Sequence, residues 1–276
     1  MILRLNLFWK ELFLFSLALF IGIFSAYNHT YIVEKNIIEP QIFSWSDIAI
    51  FLILFVVLSF VLLRFKRLSG FLLKTFLVLV VFSGSQIVFS SLVLSPWDLV
   101  WALGITAFFI LIHNVLVHNI AVMIGIAGVS SLLGITISPE VGILFLIILS
   151  FYDILAVYWT KHMVYLARGM IESGAIFGFV IPFEFKDIFY HKNEARQKIG
   201  EKFMILGSGD IGLPLIMVNS VTVVSVGQAI IVALFSLVGL LLTHLIFINQ
   251  TSRKPMAALP PIATMTIIGY LVSQLW

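Results

Sequence analysis

Nine apolar segments recur along the chain, at about 12–27, 47–63, 71–94, 98–117, 119–137, 141–160, 203–224, 227–248 and 257–275. Each is close to the ~20 residues that a helix needs to cross the hydrocarbon core of a bilayer. In lipid every backbone N–H and C=O must be satisfied within the chain, so all nine are expected as helices and open strands are excluded. The segments use most of the 276 residues and leave no room for a sizeable soluble domain. Only 11% of the residues are charged and 61% are hydrophobic, where a soluble domain carries about 25% charged residues. The expectation is an all-α polytopic membrane protein. It is one membrane domain, 1–276, of nine transmembrane helices with one long connection at about 161–202.

The basic residues set the orientation. With the N-terminus on the cytoplasmic side, fifteen of the sixteen Lys and Arg fall in inner segments, and only Lys35 falls outside. The positive-inside rule is met by nine spans with the C-terminus extracytoplasmic, and eight or ten spans would spoil it. This predicts a multi-pass protein of the cell membrane with the 161–202 connection in the cytoplasm. The formal charge of +3 is then a matter of topology and gives no reason to expect nucleic acid as a partner. The first apolar run is longer than most signal-peptide cores and lacks a clear small-x-small site, so it is read as a retained helix. There are no cysteines, which excludes disulfides, thiolate metal sites and a cysteine nucleophile.

Small residues in the third segment (Ser83, Ser85, Ser90, Ser91) and the fifth (Gly125, Gly128, Ser130, Ser131, Gly134) mark helix–helix contacts. The connection at about 161–202 has an apolar middle, Ala175 to Phe185, which is interrupted by Pro182 and too short to span. It is either an interfacial segment packed on the bundle or a mobile gate. Lys186 to Lys202 reads as a solvated helix. Of the six histidines, His113 and His118 do not share a helix face well, and no His-Glu-x-x-His is present, so no zinc site is expected.

Two of the thirteen acidic residues sit well inside spans, Asp153 and Asp210. A carboxylate at mid-membrane is expensive and faces protein or water. Asp153 precedes Lys161 by eight residues and Asp210 follows Lys202 by eight. At the helical rise both would lie roughly 12 Å from the inner charged rim, on consecutive antiparallel helices. Two carboxylates brought together cannot both ionise readily, so one holds a proton while the other stays charged. Such a pair can deprotonate water and protonate a leaving amine. It can equally couple ion movement in a transporter, and spacing alone leaves both open.

Local sequence separates them. Tyr152-Asp153 and Gly207-Ser208-Gly209-Asp210 resemble the YD and GxGD motifs of the presenilin and signal peptide peptidase family of intramembrane aspartyl proteases. The stretch Ala257-Ala258-Leu259-Pro260, opening the ninth segment, is similar to that family's Pro-Ala-Leu-Pro, with Ala257 in place of the first Pro. The resemblance covers the span count of the whole chain and the motifs from the sixth segment on. It implies an aspartic endopeptidase that hydrolyses peptide bonds within transmembrane helices of protein substrates in the lipid bilayer. It implies Asp153 and Asp210 as catalytic residues, no metal or organic cofactor, and Tyr152, Gly207, Gly209, Ala258, Leu259 and Pro260 around the site. The alternative is a proton- or ion-coupled transporter built on the same carboxylate pair. Ser208 has no His or Lys at its depth in a recognisable motif and is not expected to act as a nucleophile.

Overall fold

A computed structural model describes residues 5–36, the single positions 50 and 53, 66–250 and 255–275. The expected second segment, 47–63, lies outside the described residues apart from those two helical positions, as do the inner charges Arg4, Arg64, Arg253 and Lys254. The described chain is mostly helical. Its elements are α1 (Leu5–Asn36), α2 (Lys66–Ser90), α3 (Trp97–Leu111), α4 (Val115–Thr136), α5 (Pro139–Ile154), α6 (His162–Ser173), β1 (Gly178–Pro182), α7 (Lys192–Gln197), β2 (Phe203–Gly207), α8 (Ser208–Thr222), α9 (Val226–Ile248) and α10 (Leu259–Ser273). Among the described residues, the helical stretches Asn6–Tyr31, Gly70–Ser90, Val115–Thr136, Pro139–Trp159 and Val226–Ile248 are long and apolar enough to cross a membrane. Trp97–Leu111 and Leu259–Ser273 are shorter apolar helices.

Large apolar side chains such as Phe20, Phe71, Leu103, Phe151 and Leu271 are more than half exposed. An aqueous surface would not carry so many, and they give the bundle a coat suited to lipid. Inside, helices approach closely where side chains are absent. A Cβ on Gly84 of α2 would fall 2.1 Å from the carbonyl of Gly125, and one on Gly128 of α4 would fall 1.9 Å from that of Gly84. These glycines let two backbones touch, which is how dispersion holds helices together where lipid removes the hydrophobic drive. A buried polar pair ties α1 to α9: both carboxylate oxygens of Glu11 lie 3.0 Å from Nδ1 of His244.

The structure departs from the all-helical expectation in one place. Residues 203–207, expected as the start of the seventh helix, form β2, and helix α8 begins only at Ser208. The partner is β1, from the middle of the long connection, in antiparallel register with Gly178 opposite Gly207 and Pro182 opposite Phe203. The middle of the connection, expected as a segment packed on the bundle or as a gate, carries this strand, which packs on α4 and α1. The solvated helix expected over 186–202 shrinks to a 3-10 turn, Phe185–Phe189, and the six residues of α7. Sheet is tolerated here because all five residues of β1 are buried in protein, away from lipid. Gly178 has φ +148°, and a Cβ there would lie 2.2 Å from the Leu206 carbonyl, so only glycine fits.

A smaller correction concerns the fourth and fifth segments. Their join lies at Ile112–Asn114 rather than at His118-Asn119. Asn114 caps α4 by accepting from the Val117 amide at 2.8 Å, which satisfies one of the orphan donors of the first turn. His118 and Asn119 are therefore inside a helix and buried.

On the long connection, the Lys192 ammonium lies 4.9 Å from the Phe109 ring. Burial, with the charges of Lys74 and Arg196 adding to it, pushes this ammonium down to about 8. Between there and the ~10.4 of a free lysine the unfolded chain binds more protons, so this group makes stability rise with pH across that window. Thermal unfolding of the wild type and of Lys192→Met should therefore diverge: the wild type gains stability from pH 8 to 10 relative to the variant. Parallel curves would show that the buried ammonium costs nothing.

Candidate active site

Asp153 sits in the last turn of α5, and the chain then widens into a π-helical turn, Leu155–Trp159. Turns of this kind often mark functional sites, because they release a carbonyl from the regular ladder. The preceding Tyr152 is anchored by its hydroxyl, 2.6 Å from Nε2 of His162 at the start of α6. The other ring nitrogen of His162 is 2.7 Å from the Thr160 hydroxyl. This small polar chain fixes the end of α5 against the next helix. His162 is not legible from the sequence, since it sits in the connection with no motif around it.

Asp210 occupies the third position of α8, with Gly207 as its N-cap residue and no side chain capping that end. The first-turn amides of a helix have no partners within it and favour a negative group. The Asp210 carboxylate folds back toward Gly207, whose absent Cβ would otherwise sit 2.9 Å from Oδ2. Helix α8 is held from behind by Ser130 of α4, which donates to the Gly212 carbonyl at 3.2 Å. Its remaining turns are almost wholly buried, from Ile211 to Thr222 apart from Leu213 and Ile216. Asp153 and Asp210 are both half-buried and lie within range of each other's charge.

The third element arrives from α10. Ala258 is its N-cap residue and Leu259 its first helical residue, followed by Pro260 and Pro261. Prolines fit a first turn because they lack the amides that would go unpaired there. Leu259 keeps its N–H, and that N–H donates to Oδ2 of Asp153 at 3.4 Å. The carbonyl of Ala258 accepts from the Thr243 hydroxyl of α9 at 3.3 Å. Close packing supports this: a Cβ on Gly239 would meet the Ile262 Cα at 2.6 Å. Sequence reasoning missed Thr243, which looks like any small polar residue in an apolar helix.

The structure thus brings Asp153, Asp210 and Leu259 to one place, with Gly207, Tyr152 and Ala258 as immediate supports. Pro260 shapes the helix start. Gly209 is exposed and has nothing within 4 Å of where a Cβ would be. It borders an apolar cavity of ≈ 210 Å³ between α2, α4 and α8, lined in part by Phe76, Leu77, Val122, Ile126 and Phe177. Among the described residues no three His, Asp or Glu side chains come together in a way that would hold a metal ion.

Two carboxylates at the junction of a strand and three helix ends suit acid–base chemistry on a chain held beside them. Comparison with known proteins identifies the family. Residues 12–276 match the family described as signal-peptide peptidase, presenilin aspartyl protease. Two solved structures are similar over nearly their full lengths. Both are of a presenilin family intramembrane aspartate protease. The C222 crystal form has 24% identity, a TM-score of 0.60, and coverage of 96% of this chain and 97% of that one. The P2 form has 25% identity, a TM-score of 0.59, and coverage of 94% and 96%. No curated protein matches the chain. With a family match over almost every residue, the chain belongs to the signal-peptide peptidase and presenilin family of aspartyl proteases.

Proposed function

We propose that Asp153 and Asp210 act as a general acid/base dyad that hydrolyses peptide bonds within transmembrane helices of protein substrates. The observation that supports this reading is the family match together with the Leu259 N–H donated to Asp153, with Asp210 in the first turn of α8. One carboxylate, charged, takes a proton from water as the oxygen attacks the scissile carbonyl. The other, protonated, gives its proton to the amide nitrogen as the C–N bond breaks. Water and two carboxylates balance this reaction without a metal or organic cofactor. Leu259 orients Asp153, Gly207 leaves room for Asp210, and Tyr152, Gly209, Ala258 and Pro260 complete the surroundings. Family membership favours this over the carboxylate-coupled transporter that spacing alone left open.

The setting is proposed as a cell membrane crossed nine times, N-terminus cytoplasmic and C-terminus extracytoplasmic. The support is the distribution of Lys and Arg.

A helical substrate hides its carbonyls, so it must be unwound to be cut. The hairpin offers a way to hold it. The pair Val180–Ile205 is one in which Val180 turns its N–H and C=O away from β2, toward Asn119. Ile205 therefore turns its own groups to the opposite edge. Farther along that edge Phe203 is closed off by Lys198 and Gly200. Among the described residues the open position is Ile205: Leu206 pairs with Phe179, and Gly207 opens α8 with its N–H on the Asp210 carboxylate, three residues ahead of it. An extended substrate segment adding there would be delivered to the dyad by backbone pairing.

The decisive experiment is cleavage of a transmembrane substrate in detergent, where no ion gradient exists. Asp153→Asn and Asp210→Asn should each lower the rate by at least about 10³-fold while the protein stays folded, as loss of either member of an acid/base pair does. Wild-type rates in either variant would end the dyad reading.

The glycines give a sharper test. Gly207→Ala places a methyl 2.9 Å from Oδ2 of Asp210, and displacing that carboxylate by about an ångström should cost roughly 100-fold in kcat. Gly209→Ala meets nothing within 4 Å and should cleave at close to the normal rate. Equal effects at the two positions would refute this account of the motif's spacing. Pro260→Ala restores an amide beside Leu259 and frees the helix start to rearrange. It is expected to lower kcat with little change in melting temperature, and Leu259→Val should lose less.

A further inference from the structure

We propose that Asn119, aided by His118 and Lys10, is a positioning residue for substrate capture: side chains of α4 and α1 close the outer edge of β1 and hold the hairpin formed before a substrate strand reaches β2. This rests on the proposed use of the β2 edge. Residues 178, 180 and 182 alternate along the edge of β1 that faces away from β2. Each of them finds a partner on a helix. The Gly178 carbonyl lies 3.1 Å from Nε2 of His118. A carbonyl only accepts, so Nε2 carries the proton. Val180 has both of its backbone groups taken by one side chain. Asn119 donates through Nδ2 to the Val180 carbonyl at 2.8 Å, and its Oδ1 accepts from the Val180 N–H at 2.8 Å. The Pro182 carbonyl accepts from Nζ of Lys10 at 2.8 Å, and Lys10 also reaches the Phe183 carbonyl at 3.0 Å.

A carboxamide carries one acceptor and a donor in the arrangement of a peptide group. Asn119 therefore stands where a neighbouring strand's backbone would stand. Proline at 182 needs no donor satisfied, so one cation completes the edge. His118 and Asn119 are 1% and 2% exposed, and water does not compete with them. Two consequences follow. A substrate strand is excluded from β1 and directed to β2. And the entropy of ordering a two-stranded hairpin, marginal on its own, is spent on folding rather than on binding, which lowers KM.

The test compares wild type with Asn119→Leu, which keeps the size and removes both hydrogen bonds. Three quantities are read: KM and kcat on one transmembrane substrate, deuterium uptake at 178–183 and 203–208 without substrate, and melting temperature. Losing both partners of Val180 should speed exchange across both strands by at least about tenfold. KM should rise about fivefold or more with kcat at saturation within about twofold, the pattern of lost binding rather than lost chemistry. Exchange as slow as in the wild type, or a loss confined to kcat, overturns the proposal. If Asn119→Leu does not fold, Lys10→Met replaces it. Faster exchange near 181 and 183 with a raised KM supports the clamp, and no change in either refutes it. Normal cleavage by wild type and an unaltered Asn119→Leu would remove the clamp and leave the protease. Altered exchange in an enzyme that never cleaves a transmembrane substrate would leave the clamp and remove the protease.

Discussion

Backbone that leaves the helix inside a lipid-coated bundle must find its hydrogen bonds within the protein, and the architecture around the two aspartates follows from that requirement. Strands β1 and β2 satisfy each other along their shared edge. Side chains from α4 and α1 satisfy the outer edge of β1. The turn at Lys198–Gly200 covers the far end of β2. Among the described residues, what remains is the outward-facing backbone of Ile205, two residues before the Gly207 that opens the helix of Asp210. In a protein bounded by lipid an open edge is costly unless water or a ligand reaches it. Under the proposed function an extended chain pairs at such an edge, so the cost and the proposed use fall at the same residue.

The route by which the third motif meets Asp153 is a chain of contacts across three helices. Glu11 of α1 holds His244 of α9. One residue earlier on α9, Thr243 holds the Ala258 carbonyl. A turn further back, Gly239 lets the start of α10 press against the α9 backbone. The prolines at 260 and 261 then leave Leu259 as the residue of that first turn with an amide to offer Asp153. The contribution of the motif is thus made by backbone atoms. This explains how Ala257 can stand in place of a proline: it is buried and precedes the N-cap residue, so no contact to Asp153 depends on its ring.

Most of the helices and both aspartate motifs were legible in the sequence, because long apolar runs and in-span carboxylates are rare and strongly constrained. The strands were not. Every residue of β1 is buried, so the alternation that betrays a half-buried strand is missing, and a short apolar run reads equally as helix. The same error entered the depth comparison. Five of the eight residues from Lys202 to Asp210 are strand, with about twice the rise per residue of a helix. An equal count on the two sides was therefore not a measure of equal depth. The aspartates meet because α8 starts late, at Ser208, and presents Asp210 in its first turn.

The misplaced join between the fourth and fifth segments has a more general cause. The apolar segments 98–117 and 119–137 abut at His118-Asn119, with almost no loop between them. In lipid a polar side chain inside a span can satisfy backbone that is not helical. A carboxamide suits that task better than a charge, since it gives and accepts without desolvating an ion. Asn119 does both for Val180. The real boundary, Asn114, is an ordinary helix cap. The two asparagines are five residues apart, and from the sequence either could be the cap. What distinguishes them is the strand that Asn119 faces, and that strand becomes visible only once β2 is known to precede the helix that carries Asp210. Where an apolar segment holds an unexplained Asn, the physical question is therefore which non-helical backbone lies opposite it, and here that backbone leads to the helix that carries Asp210.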